Sequence, residues 1–492
     1  MEHIDFFGRN DELETLNSFW EQKGSGFTYM RGRRRIGKSW LLKHFQAKHK
    51  NCFYYMGRPD ETKEEIFIDF VKKWVLFSKE TLLEDLRPEL ISWSRIFSEI
   101  LKYAEKQKEP LILLFDEIQW IAKKGAGFIG SIKEAWIDWE MSGKIKVIIC
   151  GSSNKFFSKY VGGEEKILRG IRTFNDITVK PFTLKETKDY YLKNFSNEEI
   201  CLTYMMLGGC PYYLSTLNPS LGFIQAINST IFTNKTIFLK EIYEILNLEF
   251  NKNGAMSATK ILSSLGQDGK TVANIVKLTG LNPTVVLRTV KNLLEYDLIE
   301  EKNFFGEKQK RNNAGTSYIV KDFFLNFYFQ IVLPLKSRIE MNEQGLLFPQ
   351  YCIKSKKGFY IENFSGKAFE KLISYILSCK FYSLKKAPNI FKKLLLNDVD
   401  FTVGTYSNQD VQIDIVVENK SDRIVRLIEC KWLSNTDFSL ENVCKKLSLC
   451  NYPKPKGFIK KYYLALSQDV TSNMLEVAKK YDVELIGLED LF

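Results

Sequence analysis

The sequence predicts an α/β fold: a parallel sheet covered by helices on both faces, then a helical region, then a second α/β region. Three observations point there. Short apolar runs at residues 27–30, 52–56, 111–115 and 146–150 alternate with helix-length segments across residues 1–180. Uninterrupted apolar runs of that length mark strands buried on both faces, which is the habit of parallel sheets. The first run leads into a glycine-containing loop that opens a helix, and strand and helix patterns resume near residue 359.

At 492 residues the chain exceeds what one core supports. Its patterns divide it into five regions. Residues 1–183 form the parallel-sheet core and 184–250 a helical lid. Residues 251–320 form a winged helix, 321–358 an aromatic helical connector, and 359–492 the second α/β domain. Hydrophobic residues make up 45% and charged residues 26%, ordinary values for a globular protein. The formal net charge of +12 favours an acidic partner, nucleic acid and DNA above all. Nine cysteines without a C-x-x-C pair read as free thiols in a reducing compartment. Three histidines, His3, His44 and His49, leave no basis for a histidine-built zinc site or a Ser-His-Asp triad. Any chemistry must rest on carboxylates, lysine, arginine and a metal such as magnesium. The N-terminus lacks a signal peptide pattern. The aromatic run 319–335 carries Lys321, Asp322, Asn326 and Gln330, too polar to span a membrane. The expectation is a soluble cytoplasmic protein.

Gly32, Arg33, Arg34, Arg35, Ile36, Gly37, Lys38 and Ser39 spell G-x-x-x-x-G-K-S between a strand and a helix that opens at Trp40. In that context the backbone amides and the helix N-terminus cradle phosphates. Lys38 reaches the β and γ phosphates of ATP, and the Ser39 hydroxyl ligates Mg2+. The run 111–115 delivers Asp116 and Glu117 to a strand end, where α/β sheets bind ligands. Asp116 is the expected magnesium ligand and Glu117 the residue that polarises the attacking water. The strand 146–150 runs into Gly151-Ser152-Ser153-Asn154, and Ser153 is either a γ-phosphate sensor or part of a plain turn. Arg169 or Arg172 is either an arginine finger or part of a solvated basic segment.

Phe7-Gly8-Arg9 with Glu12-Leu13, the arginine-rich loop 32–39, Asp116-Glu117 and Gly208-Gly209-Cys210-Pro211-Tyr212 resemble the prokaryotic archaeal-type ATPases, AAA-like proteins close to the STAND signalling ATPases. The resemblance implies that Phe7, Gly8 and Arg9 lie near the nucleotide base. It also implies that the turn bearing Pro211 belongs to a lid that faces the nucleotide.

Residues 271–280 and 282–296 pattern as a helix-turn-helix, with Gly280 ending the first helix, Asn282 capping the second and Pro283 at its first position. Val286, Val290, Leu293 and Leu294 face the core, and Thr284, Arg288, Lys291 and Asn292 lie outward. The hairpin that follows has a basic tip of Lys308, Lys310, Arg311, Asn312 and Asn313. This winged helix either contacts DNA or serves as a structural part of the ATPase.

In the last region, Gly366-x-x-Phe369-Glu370 opens a helix, and residues 411–417 and 426–432 pattern as strands. Glu429 and Lys431, two apart, share a face. Asp414 on one strand with Glu429-x-Lys431 on the next is the PD-(D/E)XK nuclease constellation. Asp414, Glu429 and Glu370 are the metal ligands and Lys431 activates water. Ile413-Asp414 stands where the namesake motif has Pro-Asp. The archaeal-type ATPases carry such a restriction-endonuclease-like domain at the C-terminus, so the resemblance reaches this region too. Two readings follow: an ATPase controlling a nuclease on DNA, or a slow ATP-driven switch whose last domain docks a partner without cutting. An arginine finger supplied by a neighbour would require a homo-oligomer.

Overall fold

A computed structural model describes residues 6–80, 92–125, 127–152, 154–162, 168, 170–250, 252–305, 315–341, 347–348, 360–379, 381, 386–396, 400–407, 411–432 and 439–492. The chain forms two compact units. One is Met1–Pro181 joined by Cys210–Tyr212; the other is Phe182–Gly209 with Tyr213–Phe492.

The first unit is built on five parallel strands, β1 (Gly26–Arg31), β2 (Cys52–Met56), β3 (Leu111–Asp116), β4 (Ile145–Gly151) and β5 (Thr173–Thr178), ordered β2-β3-β4-β1-β5. Alternation hidden inside the apolar runs feeds both faces of the sheet. Phe53, Tyr55, Leu113, Phe115 and Val147 pack one way with Phe70, Trp74, Trp93, Phe97 and Trp139. These last five come from the helices Lys63–Ser78, Trp93–Glu105 and Phe128–Ser142. Cys52, Ile112, Leu114 and Ile148 pack the other way on Leu16, Phe19, Leu41, Leu42 and Phe45. Those five belong to the helices Asn10–Glu21 and Lys38–Ala47. β5 has no counterpart among the apolar runs. It is an edge strand, and Ile177 is its one buried side chain.

The second unit begins with helices between Leu184 and Leu265. The helices Val272–Thr279 and Pro283–Glu295 follow, with Gly280 and Asn282 at the expected caps and Thr271 capping the first helix. Val286, Val290 and Leu293 are buried; Leu294 is only half-buried, and Thr289 is buried in addition. A small antiparallel sheet, β6 (Lys270–Thr271), β7 (Ile299–Glu301) and β8 (Ser317–Val320), flanks them in the order β6-β8-β7. The basic tip residues 308–313 lie outside the described residues. The run after β8 is a short helix, Phe323–Phe327, continued by a π-helical turn, Tyr328–Val332. Its rings form the unit's hub. Phe323 meets Tyr204 and Tyr375, and Phe324 meets Tyr213 and Phe238, at centroid distances of 4.7–5.4 Å. The run is therefore core; among the described residues no helix is long and apolar enough to cross a membrane.

The last part is a mixed sheet: β9 (Phe401–Ser407), β10 (Gln412–Asn419), β11 (Ile424–Lys431), β12 (Ile459–Leu466) and β13 (Val483–Ile486), ordered β13-β12-β11-β10-β9. β9, β10 and β11 are antiparallel; β11, β12 and β13 are parallel. The helix carrying Glu370 spans Tyr360–Ser378, so it starts before Gly366 rather than at it. The chain leaving β7 adds to the free edge of β9. The Thr405 amide donates to the Asn303 carbonyl (3.0 Å), and the Phe305 amide donates to the Thr405 carbonyl (2.9 Å). The sheet edge is thereby paired instead of exposed. Gly404 permits this approach, since a Cβ there would stand 2.8 Å from both the Asn303 carbonyl oxygen and the Phe305 ring. Gly404→Ala is expected to destabilise the protein by about 1–3 kcal/mol, the usual cost of overpacking, read as a lower urea midpoint. An unchanged midpoint would show that this pairing contributes nothing.

Candidate functional site

The glycine-rich loop leaves β1 and turns into the Lys38–Ala47 helix through residues held in the left-handed region, Arg35 (φ 69°) and Gly37 (φ 89°). For Arg35 this geometry costs roughly 1–3 kcal/mol, so the surroundings must hold it. Two braces do so. The Arg9 guanidinium, buried, donates to the Ile36 carbonyl (2.8 Å) and the Lys180 carbonyl (2.6 Å). The Arg35 carbonyl accepts from the Cys210 thiol (3.2 Å) and the Tyr212 amide (3.4 Å), while the Arg35 guanidinium lies 4.3 Å over the Tyr212 ring. Pro211 stands against the same loop, its Cγ 3.9 Å from where a Cβ on Gly37 would be. Gly32 admits no side chain, because a Cβ would meet the Val179 carbonyl at 2.5 Å. Lys38 is buried and donates to the Arg33 carbonyl (2.7 Å) inside the loop it serves. Trp40, in the first turn of the helix, is exposed, and Phe7 is at the border of exposure.

Asp116 ends β3 fully buried. Its carboxylate accepts from the Tyr54 hydroxyl (2.8 Å) and from the Glu117 amide (2.9 Å). Burial and the neighbouring Asp116 push the Tyr54 phenol well up. Burial, with Asp116 beside it, also raises the Cys150 thiol on β4. Glu117 sits in the left-handed region (φ 47°), which turns its carboxylate toward Gln119 and Ser152. It accepts from the Gln119 amide and from the Ser152 hydroxyl (3.3 Å), and the Arg34 guanidinium lies 4.0 Å away. Tyr54 is one aromatic in an apolar strand, and Gln119 lies in the first turn of a helix, so neither has a local signature in the sequence; Ser152 belongs to the polar cluster 151–154 that the sequence places at the end of β4. Ser153 and Arg169 lie outside the described residues. Arg172 is exposed just before β5.

In the second unit the structure gathers Glu370, Asp414, Glu429 and Lys431 with two further lysines. Lys431 donates to Glu429 (2.6 Å) and Lys367 to Glu370 (3.0 Å), while Asp414 accepts the Cys430 amide (3.0 Å). Burial and then Asp414 push the Glu370 carboxyl up to about 7 and raise Glu429 as well. Lys302, on the chain leaving β7, is lowered by burial and by Lys367, against the pull of Asp268, Glu370 and Asp414. Lys302 and Lys367 carry no sequence signal, since only the fold brings them here. Among the described residues, no three histidine, cysteine, aspartate or glutamate side chains stand close enough to hold a metal.

The parallel sheet, its loop at the C-terminal end of β1 and the acids at the end of β3 define a Walker-type nucleotide-binding domain. Residues 6–217 match the family described as "ATPase domain predominantly from Archaea", and residues 328–443 match one described as "Archaea bacterial proteins of unknown function". An uncharacterized protein of Methanocaldococcus jannaschii is similar over 99% of both chains at 25% identity. A Walker-type ATPase of Pyrococcus abyssi shares the fold, covering 66% of this chain and 97% of its own at 20% identity with a TM-score of 0.52. Residues 6–217 are thus similar to archaeal-type ATPase domains, on a fold that Walker-type ATPases share.

Glu370 carries a pH signature. Its carboxyl is raised on folding, so the folded protein keeps a proton there that the unfolded chain has released. This group therefore favours folding less as pH rises from about 4.5 to about 7, and its cost is complete above that window. Glu370→Gln removes the titration. Its melting temperature relative to wild type is expected to rise between about pH 5 and about pH 8 in a thermal scan; a pH-independent difference would contradict the buried cluster.

Proposed function

We propose that this protein is an ATP-hydrolysing switch that controls a metal-dependent, nuclease-like domain acting on DNA. The carrying observation is Glu117, whose carboxylate is oriented by Gln119 and Ser152 beside a braced phosphate loop. Lys38 leaves the Arg33 carbonyl to take the β and γ phosphates, where the amides of the loop and helix already point. Ser39 and Asp116 fit magnesium: both are oxygen donors, and the Tyr54 hydroxyl already orients the Asp116 carboxylate. When bound, the ion would neutralise charge on the β and γ phosphates. Glu117 orients water for attack. Arg34, 4.0 Å from Glu117, or else Arg169 or Arg172, takes up charge in the transition state. Phe7, Gly8 and Arg9 frame the base side, and the turn bearing Pro211 faces the nucleotide.

The three helices and small sheet of residues 252–320 support a winged-helix reading. Thr284, Arg288 and Lys291 are exposed along the second helix, available to phosphates or base edges. In the last domain, Asp414, Glu429 and Glu370, which do not stand as a ready-made metal-holding group, would draw together as the proposed ligands of a divalent ion, with Lys431 the residue that holds and activates water. Their mutual repulsion supports a demand for a cation. A second reading has its own observation. Glu370 and Glu429 are each paired with a lysine, the arrangement of a site that binds acidic partners without cutting them.

The test is cleavage of single-stranded and duplex DNA with magnesium or manganese, with and without ATP. Wild type is compared with Lys431→Ala and Lys38→Ala. Expected are cleavage at least about 100-fold slower in Lys431→Ala, the scale of losing a group that acts in the transition state, and an ATP effect absent in Lys38→Ala. ATP hydrolysis without cleavage under either metal would favour the docking reading.

A further inference from the structure

Tyr54 belongs to no motif, yet it stands where the two motifs of the nucleotide site meet. It lies on β2, the edge strand next to β3, with its Cα opposite Leu114. From there its hydroxyl reaches across to the neighbouring strand and donates to the Asp116 carboxylate (2.8 Å). Its ring packs on the core that supports the loop helix. The other Asp116 oxygen takes the Glu117 amide, so the carboxylate is held at both ends.

We propose that Tyr54 is a positioning residue for the divalent metal of the ATPase site, fixing the rotamer of the Asp116 carboxylate before the ion binds. This rests on the ATPase reading above. The geometry supplies the reason. A small, hard cation tolerates little departure from octahedral oxygens and keeps several of its waters, so its few protein ligands must be placed in advance. An outer hydrogen bond does this: it picks the rotamer of the carboxylate and leaves a lone pair for the ion. Outer partners of this kind change metal affinity by about 10–100-fold. Before the ion arrives, the same hydroxyl satisfies a carboxylate that has no access to solvent.

Tyr54→Phe keeps the ring and removes only the hydroxyl. Three readouts on the full chain separate the outcomes: binding of a fluorescent ATP analogue in EDTA, Mn2+ binding to the protein–ATP complex by electron paramagnetic resonance, and the Mg2+ concentration for half-maximal ATP hydrolysis. The expected result is metal-free nucleotide affinity within about twofold of wild type, with Mn2+ affinity and half-saturating Mg2+ both weakened about 10-fold or more. The variant should also melt at a lower temperature in EDTA, the difference shrinking when Mg2+ and ATP are added. Tyr54→Phe with wild-type metal dependence, beside an Asp116→Asn control that loses it, would overturn the proposal. Equal weakening of metal-free binding would reduce Tyr54 to a packing role and overturn it as well. Failure of the ATPase reading shows differently: wild type itself would bind no nucleotide in EDTA, which removes this proposal with it.

Discussion

A carboxylate buried at the end of an apolar strand is the constraint on which the first unit turns. Asp116 has no exposed surface, and a charged group so placed costs several kcal/mol unless donors surround it. The donors come from separate places: the Tyr54 hydroxyl from β2 and the Glu117 amide from the next residue. Satisfying Asp116 therefore fixes how β2 and β3 end relative to each other, and the Tyr54 ring packs on the same core as Leu41, Leu42 and Phe45 of the loop helix. The left-handed turn at Glu117 follows from the same demand, since it brings the amide back to the carboxylate and swings the next carboxylate toward Ser152.

The loop opposite is strained, and its braces are specific. Arg9 grips the Ile36 carbonyl from one side, and the Cys210–Tyr212 turn grips the Arg35 carbonyl from the other. Both braces act on backbone, so they hold the shape of the cradle while leaving its amides for phosphate. That explains why a Phe-Gly-Arg segment, a phosphate loop and a Gly-Gly-Cys-Pro turn, far apart in sequence, belong to one site. The second unit shows the same economy of shared parts. The chain leaving β7 closes the edge of β9, and Lys302 on that chain joins the charges around Glu370 and Asp414.

Much of this was legible in the sequence where local chemistry decides. β1 to β4 stand out because strands buried on both faces are apolar throughout, and Thr271, Gly280 and Asn282 announce their helix ends because caps act through their own side chain or backbone. Asp116, Glu117 and the loop are read from spacing. β5 was not legible, because an edge strand with Ile177 alone buried has no apolar pattern. The start of the Tyr360–Ser378 helix was missed because Gly366 looked like a beginning, while the packing of Phe364, Ala368 and Phe369 carries the helix through it. Tyr54, Gln119, Lys302 and Lys367 acquire their roles only through contacts made by the fold.

On the proposed reading, Glu117 is held for hydrolysis and not merely for the shape of the site. The most direct measurement is ATP binding and single-turnover hydrolysis in Glu117→Gln, which keeps the hydrogen-bonding geometry toward Ser152 and removes the charge. The expected result is ATP affinity within a few-fold of wild type and turnover slower by about 100-fold or more, the pattern of a group that acts in the transition state. Equal turnover in the two proteins would contradict it.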